Sequence, residues 1–457
     1  MVTRHSPAFR SAVTLLALAA APLAAAPITA QSAPAPIGLT LAAAAQRARD
    51  LSLPTITSTL RASQVDARIN QRRADLLPTF STFAEANSRT FNTATLGIDF
   101  PTPAGQQPFF DPKGEVLGPV PTSDVRARVS QTIYDGAALA RLRLARQQSG
   151  AARTETAQVG AAAATQAANA YVRVLRAEAV FVARAADSTL AADLLGIARE
   201  TLRAGTGVAL DVTRAESQLI SIRSQLISAR VERDKARLDL RRAINVDLNQ
   251  PIRMLDSLDA GELAMPDERE ALATAERLRP ELLVIREQLQ SAHLSSTAIR
   301  AERLPSVSAV ADEGFIGKNV GSNMLNTWTW AVRVTVPVFE GGRRQARQSE
   351  QSLAERELES RRNELWQQIS VDVRSALLDG ASASEAVAAA KERLRLADQE
   401  VAQSRDRFKA GVSGNLDVTS ALLGLSTART QLVDALANRQ LARISIARSQ
   451  GSITSLR

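Results

Sequence analysis

Small and apolar residues return every seven positions in two distant stretches of the chain. Within residues 203–245, Ala215, Ile222, Ala229, Ala236 and Ala243 form one seam, with Leu219 and Leu226 on the other. After Lys409 the pattern recurs, with Ala421, Ala428, Ala435 and Ala442 on one seam and Leu425 and Leu432 on the other. Gly205 answers Gly411, and LDVT at 210–213 answers LDVT at 416–419, a constant offset of 206 positions. Small residues facing Leu in this register predict helices that pack closely along their length as a coiled coil. Each copy begins with a Gly-containing turn that follows another helical run, 136–203 in the first and 342–409 in the second. The chain therefore holds two helical hairpins. At 1.5 Å per residue each long arm spans on the order of 100 Å, far beyond an ordinary globular helix. Such an arm reaches across a large space, for which the periplasm is the candidate.

Elsewhere the period changes to two. Val125, Ala127, Val129 and Ile133 share one face of a strand, opposite Arg126, Arg128, Ser130 and Thr132. Trp328, Trp330, Val332, Val334, Val336 and Val338 share one face, opposite Thr329, Arg333 and Thr335. One apolar face and one polar face mark a strand between two different solvents, although a sheet packed on a core shows the same alternation. The opening strands alternate more weakly, with Phe80, Ala84 and Ala86 opposed to Ser81, Glu85, Asn87 and Arg89. Of the sixteen aromatic residues, eleven lie within 77–134 or 304–339. Concentration there, with Ala and Leu left to pack the helices, suits the interfacial girdles of a membrane barrel. Four strands cannot close a barrel alone, since about eight are needed. Either several chains contribute strands or these strands do not lie in a membrane.

The repeat covers more than the hairpins. A helical segment interrupted at Pro54 ends at LPTFS (77–81), and its counterpart, interrupted at Pro280, ends at LPSVS (304–308). The expected organisation begins with a signal peptide at 1–30 and a first repeat at 31–246, comprising helices 38–76, strands 79–134 and a hairpin at 136–246. A linker at 247–266 follows, without a heptad and expected to form an irregular equatorial belt around the middle of the hairpin. The second repeat spans 267–451, with helices 267–303, strands 306–339 and a hairpin at 341–451, before a tail at 452–457. Fold class is thus mainly α with a small β part, in two tandem repeats.

Arg4 and Arg10 precede an apolar run at 11–26 that leads to small residues near Ala30, the pattern of a secretory signal peptide. The chain has no cysteine, which excludes disulfides, thiolate metal sites and thiol nucleophiles. His293 is the one histidine beyond the signal peptide, so His-rich metal sites and Ser–His–Asp triads cannot be assembled. No cofactor is expected. The formal charge is +9, but basic residues alternate with acids along helix faces, which argues for solvated coiled-coil surfaces rather than nucleic-acid binding.

RVSQTIYDGAALARLRLARQ at 128–147 pairs with RVTVPVFEGGRRQARQ at 333–348, and RAGTGVALDVTRAE at 203–216 with KAGVSGNLDVTSAL at 409–422. Repeated at matching positions over about residues 38–451, these motifs resemble the TolC-like outer-membrane efflux protein family. The resemblance implies a homotrimer whose four strands per chain make a twelve-stranded outer-membrane barrel, continued by an α-helical periplasmic tunnel. It implies a passive exit duct for small molecules or polypeptides, docked through a periplasmic adaptor protein on an inner-membrane pump. The apolar row Trp328, Trp330, Val332, Val334 and Val336 would then face outer-membrane lipid. Asp417 and Asp211 match inward acids at the tunnel constriction. Phe408, Ser413 and Ser420 fall where a tyrosine, an arginine and a second acid take part in closing it. Gly205, Thr206, Gly411 and Val412 form the adaptor-facing turns. For Asp211 and Asp417 helix capping is the competing reading, since acids are favoured at helix starts.

The competing function is a periplasmic coiled-coil adaptor or scaffold that never enters a bilayer. An adaptor has one hairpin with compact β domains, whereas this chain has two hairpins and two isolated strand pairs. An enzyme is the weakest reading, because no nucleophile–base pair is identifiable.

Overall fold

The computed structural model describes residues 35–96, 105, 111, 113–259, 261–321, 323–410 and 412–455; the expected signal peptide at 1–30 and Gly411 lie outside the described residues. The first repeat runs β1 (Ile37–Leu39), α1 (Leu41–Leu51), α2 (Leu53–Ala74), β2 (Thr79–Asn92), β3 (Val116–Asp135), α3 (Gly136–Arg203) and α4 (Ala209–Ala243). The second runs β4 (Ile252–Met254), α5 (Glu268–Leu278), α6 (Pro280–Ala301), β5 (Ser306–Gly317), β6 (Leu325–Thr335), α7 (Arg343–Lys409) and α8 (Asn415–Ser449).

The copies match element for element. α1 and α5 have 11 residues each, and α2 and α6 have 22 each. Pro54 and Pro280 sit in the first turns of α2 and α6, where the missing N–H costs nothing and the fixed φ suits a helix. Ser52 caps α2, and Asp135 caps α3 by accepting from the Ala137 and Ala138 amides at 2.8 and 3.0 Å. α3 and α7 have 68 and 67 residues, and α4 and α8 have 35 each.

The heptad seams are the buried ones. Ala215, Leu219, Ile222, Ala229 and Ala236 of α4 are buried, as are Ala421, Leu425, Ala428, Ala435 and Ala442 of α8. Small side chains there let each return helix lie close against its long partner. Gly205 ends the first arm with φ +75°, which a Cβ would strain. The Thr206 amide donates to the Thr201 carbonyl at 3.1 Å, and the Val412 amide donates to the Arg407 carbonyl at 2.9 Å, the same closure 206 positions later.

The linker is more ordered than its sequence suggests. Its residues Ile252–Met254 form β4, which pairs in parallel with β1. Beyond β4 it is tied down at several points. Asp256 accepts from the Leu41 amide, Asp259 accepts from Lys391 on α7 and Arg439 on α8, and the Leu258 carbonyl accepts from Gln440. Gly380 on α7 gives it room, since a Cβ there would stand 2.9 Å from Met265 Sδ and 3.0 Å from Ile446 Cδ1. The linker, β1 and α1 thus form a belt on one side of the hairpins. The largest core lies beneath it, with Ala164, Ala167, Ala168, Tyr171 and Val174 of α3 packed near Leu39, Leu41, Ala44 and Ala48.

β2, β3, β5 and β6 form one antiparallel sheet in that order. Its side chains alternate between the two faces as expected, with two departures. A bulge between Thr132 and Tyr134 brings Tyr134, not Ile133, opposite Val307. β6 ends at Thr335, so Val336 and Val338 lie past the strand, because Pro337 has no N–H to continue the ladder.

Candidate functional site

Register assigns each strand residue to a face. Trp328, Trp330, Val332 and Val334 of β6 share one face with Ala309, Ala311, Glu313 and Phe315 of β5, Val125, Ala127 and Val129 of β3, and Phe80, Thr82 and Ala84 of β2. The face is mostly apolar, with one acid, Glu313, that accepts from Asn326 Nδ2 at 3.0 Å. Trp328 is 70 % exposed and Val332 57 % exposed. Among the described residues neither face of the sheet is covered, so the reading of an ordinary sheet on a core fails. The opposite face carries paired charges. Arg126 Nε donates to both oxygens of Asp124 at 2.8 Å, and Arg126 and Arg128 both reach Asp312, at 3.0 and 3.4 Å. The Arg128 guanidinium also lies 5.2 Å over the Phe83 ring. An apolar face that stays open and a polar face rich in ion pairs fit lipid outside and water inside. No helix among the described residues is long and apolar enough to cross a membrane.

At the other end of the arms, Asp211 and Asp417 occupy the third position of α4 and α8. Val208 and Gly414 stand at the caps without a side-chain bond, so neither aspartate is the N-cap; in the first turn each carboxylate faces the positive end of the helix dipole. Asp417 and Ser420 are exposed, and Asp211 and Ser413 are half-buried. Ser413 Oγ is buried without a hydrogen-bond partner among the described residues. Phe408 is 7 % exposed and packs in a core with Leu194, Leu195, Val418 and Leu422, so it holds helices together instead of joining a polar latch. Gly205, Thr206 and Val412 are exposed at the turns.

Among the polar connections between the hairpins, two link residues that no local spacing relates. Asn415, 2 % exposed, donates through Nδ2 to the Asp211 carbonyl at 2.8 Å. Higher up, the fully buried Asp187 of α3 accepts from Arg429 of α8 at 2.7 Å and from Arg184 at 3.4 Å. Arg184 also donates to Ser426 and Thr430 of α8. An aspartate within the buried stripe of Ala191, Leu194, Leu195 and Ala198 was the available signal.

This chain belongs to the outer membrane efflux protein family, whose pattern it matches over residues 43–246 and 271–452. Its place is therefore the outer membrane, with the helical hairpins on the periplasmic side, and its class is that of channels and not of adaptors. No curated protein matches its sequence closely enough to be compared. Among solved structures it is similar to a membrane protein from Pseudomonas aeruginosa, at 18 % identity and TM-score 0.72, over 90 % of this chain and 92 % of that one. It is similar to the CmeC outer membrane channel of Campylobacter jejuni at 15 % identity and TM-score 0.71, over 90 % of this chain and 85 % of that one. The open state of the Neisseria gonorrhoeae MtrE outer membrane channel aligns at 21 % identity and TM-score 0.67, covering 90 % and 88 %. These similarities carry the fold.

Proposed function

We propose that three copies of this chain close one passive exit duct, their sheets pairing edge to edge into a twelve-stranded barrel and their hairpins forming a periplasmic tunnel. One observation carries this reading: a four-stranded sheet with unlike open faces and unpaired edges at β2 and β6. Four strands are too few to close, and three copies supply twelve. The hairpins carry matching unpartnered apolar residues, Ile220 and Ile227 on α4 and Val371 and Leu378 on α7, all more than half exposed. Packing α4 of one copy beside α7 of the next covers both rows. The solved channels named above have this fold, and CmeC and MtrE are named as outer membrane channels.

The duct supplies a path and no energy, so an inner-membrane pump drives the cargo and a periplasmic adaptor joins pump to duct. The adaptor meets the turns at Gly205, Thr206, Gly411 and Val412. Cargo is small molecules or polypeptides. Bulky replacements at Thr206 or Val412 spare assembly and abolish export. Membrane fractionation with chemical crosslinking tests the whole reading: the chain stays with outer membranes after a high-salt wash and crosslinks to a trimer. Release by salt, or a monomer in the membrane, would sink it.

A further inference from the structure

A groove with a cavity volume of about 670 Å³ runs between α3 and α8, lined by Thr165, Gln166, Asn169 and Arg173 on one side and Ser445 and Arg448 on the other. Helical periodicity places it on the side away from the belt. On α3, Asn169 and Arg173 lie opposite Tyr171, whose hydroxyl donates to the Leu39 carbonyl at 2.9 Å. On α8, Arg448 lies opposite Arg439, and Ser445 lies about 140° round from Gln440, the two residues that bind the linker at Asp259 and Leu258. With the belt outside, the groove side lines the duct.

The groove's charges are unequally satisfied. Arg176 is neutralised by Asp434 at 2.7 Å. Arg173 and Arg448 are exposed, and neither guanidinium has a hydrogen bond or ion pair among the described residues. Asp379 lines the next groove, on the α7 side of α8, with Ser382 and Asn438 between the helices. Counting from the Arg176–Asp434 pair, with antiparallel helices rising 1.5 Å per residue, Arg173 and Arg448 stand about 16 Å apart along the axis. Around a threefold axis they become two rings of three guanidinium groups. Each fork matches the geometry of a phosphate or carboxylate, and Gln166, Asn169 and Ser445 add neutral donors beside it. Like charges around a narrow water-filled path also concentrate counter-ions there.

We infer that this groove is an anion-binding station inside the duct, taking solutes that carry phosphate or carboxylate groups. The inference rests on the duct reading and adds a preference among cargoes that the acids at the tip do not set. Purified full-length protein in planar bilayers tests it, with pyrophosphate as the probe. The wild-type channel conducts and pyrophosphate blocks it. In the Arg173→Gln/Arg448→Gln double variant the half-blocking concentration rises about tenfold, while Arg173→Lys/Arg448→Lys, which keeps the charges, retains most of the block. Size-exclusion chromatography checks that each variant assembles, and the single variants stand in if the double one does not. A conducting channel that pyrophosphate leaves unblocked, or one blocked equally well in the glutamine variants, overturns the anion station and leaves the duct standing. Assembled wild-type protein that never conducts overturns the duct reading and the station with it.

Discussion

The Asn415 carboxamide donates a 2.8 Å hydrogen bond to the backbone carbonyl of Asp211, joining the first turn of α8 to the first turn of α4. Thr419 in turn donates to the Asn415 carbonyl at 2.9 Å. A side chain of one hairpin thus closes on the backbone of the other at the tip. Asn415→Ala removes a buried bond of about 1–2 kcal/mol and leaves the Asp211 carbonyl without that donor. Trypsin then cuts near Arg203 and Lys409 about tenfold faster than in the wild type, because the tip opens more often. Equal cutting rates would show that the bond does not restrain the tip.

Asp417 lies in the first turn of α8 and is exposed, so its removal barely touches the fold. Losing its dipole interaction costs about 0.3–1 kcal/mol. In the proposed trimer, three such carboxylates around the tip favour cations. Asp417→Asn therefore shifts the zero-current potential in a salt gradient toward non-selectivity, and Asp211→Asn shifts it less, since Asp211 is half-buried. An unmoved potential in Asp417→Asn leaves that residue a dipole partner alone.

Lipid exposure separates two neighbours on β6. Val332, two residues from the strand centre, lies on the apolar face, and Thr329 lies on the face that carries Asp312 and Arg126. Val332→Arg lowers membrane assembly by about 2–4 kcal/mol if Val332 lies near the midplane, whereas Thr329→Arg is tolerated. Heat-modifiability on gels and the yield in outer membranes read the difference. Equal yields would count against lipid on that face.

Arg429→Ala strips the fully buried Asp187 of its shorter ion pair and leaves only Arg184 at 3.4 Å. Breaking a buried pair by removing one partner costs about 3–5 kcal/mol, and the partial exposure of Arg429 puts this case at the lower end. A lowered thermal midpoint follows, and Asp187→Asn/Arg429→Gln recovers part of the loss by removing the orphaned charge. No change in midpoint would make the pair ornamental.

Arg439 and Lys391 hold the Asp259 carboxyl below its ordinary value of 3.8. A depressed value in the folded chain means that this contact stabilises fully above pH 3.8 and fades as pH falls through the folded value. Protection of the 252–259 amides, taken relative to the intrinsic exchange rate at each pH, therefore falls in the wild type as pH drops from 5 to below 3.8. In Asp259→Asn the protection is already lower at pH 5 and changes less with pH. A wild-type belt indifferent to acid would place its anchoring elsewhere.

The long helices were legible because a seam such as Ala215–Ile222–Ala229 says how a helix packs without reference to anything distant in sequence. The strand faces were legible for the same reason, through strict alternation. What failed was tertiary in origin. Ile133 was assigned by counting, and a one-residue bulge moved the apolar row to Tyr134. Val336 was carried along by alternation past the point where Pro337 stops the ladder. Phe408 was read by likeness to a latch residue, while its burial among Leu194 and Leu422 depends on four helices meeting. Asp187 and Arg429 lie 242 positions apart, and no local spacing links them.

The open edges of the sheet also govern how the protein is made. A newly exported copy carries β2, 14 residues long, and β6, 11 residues long, with one side of each ladder unpaired. Such edges accept any extended chain that arrives first, so correct pairing competes with aggregation from the moment of export. In the proposed trimer, assembly proceeds by successive encounters between protomers, so it slows more steeply than synthesis when expression falls. Dilute protomers then persist as protease substrates and crowded ones as aggregates, which confines productive biogenesis to a window of expression level. The apolar row ending in Val334 narrows that window further, because it needs lipid at the same moment as its neighbours need each other.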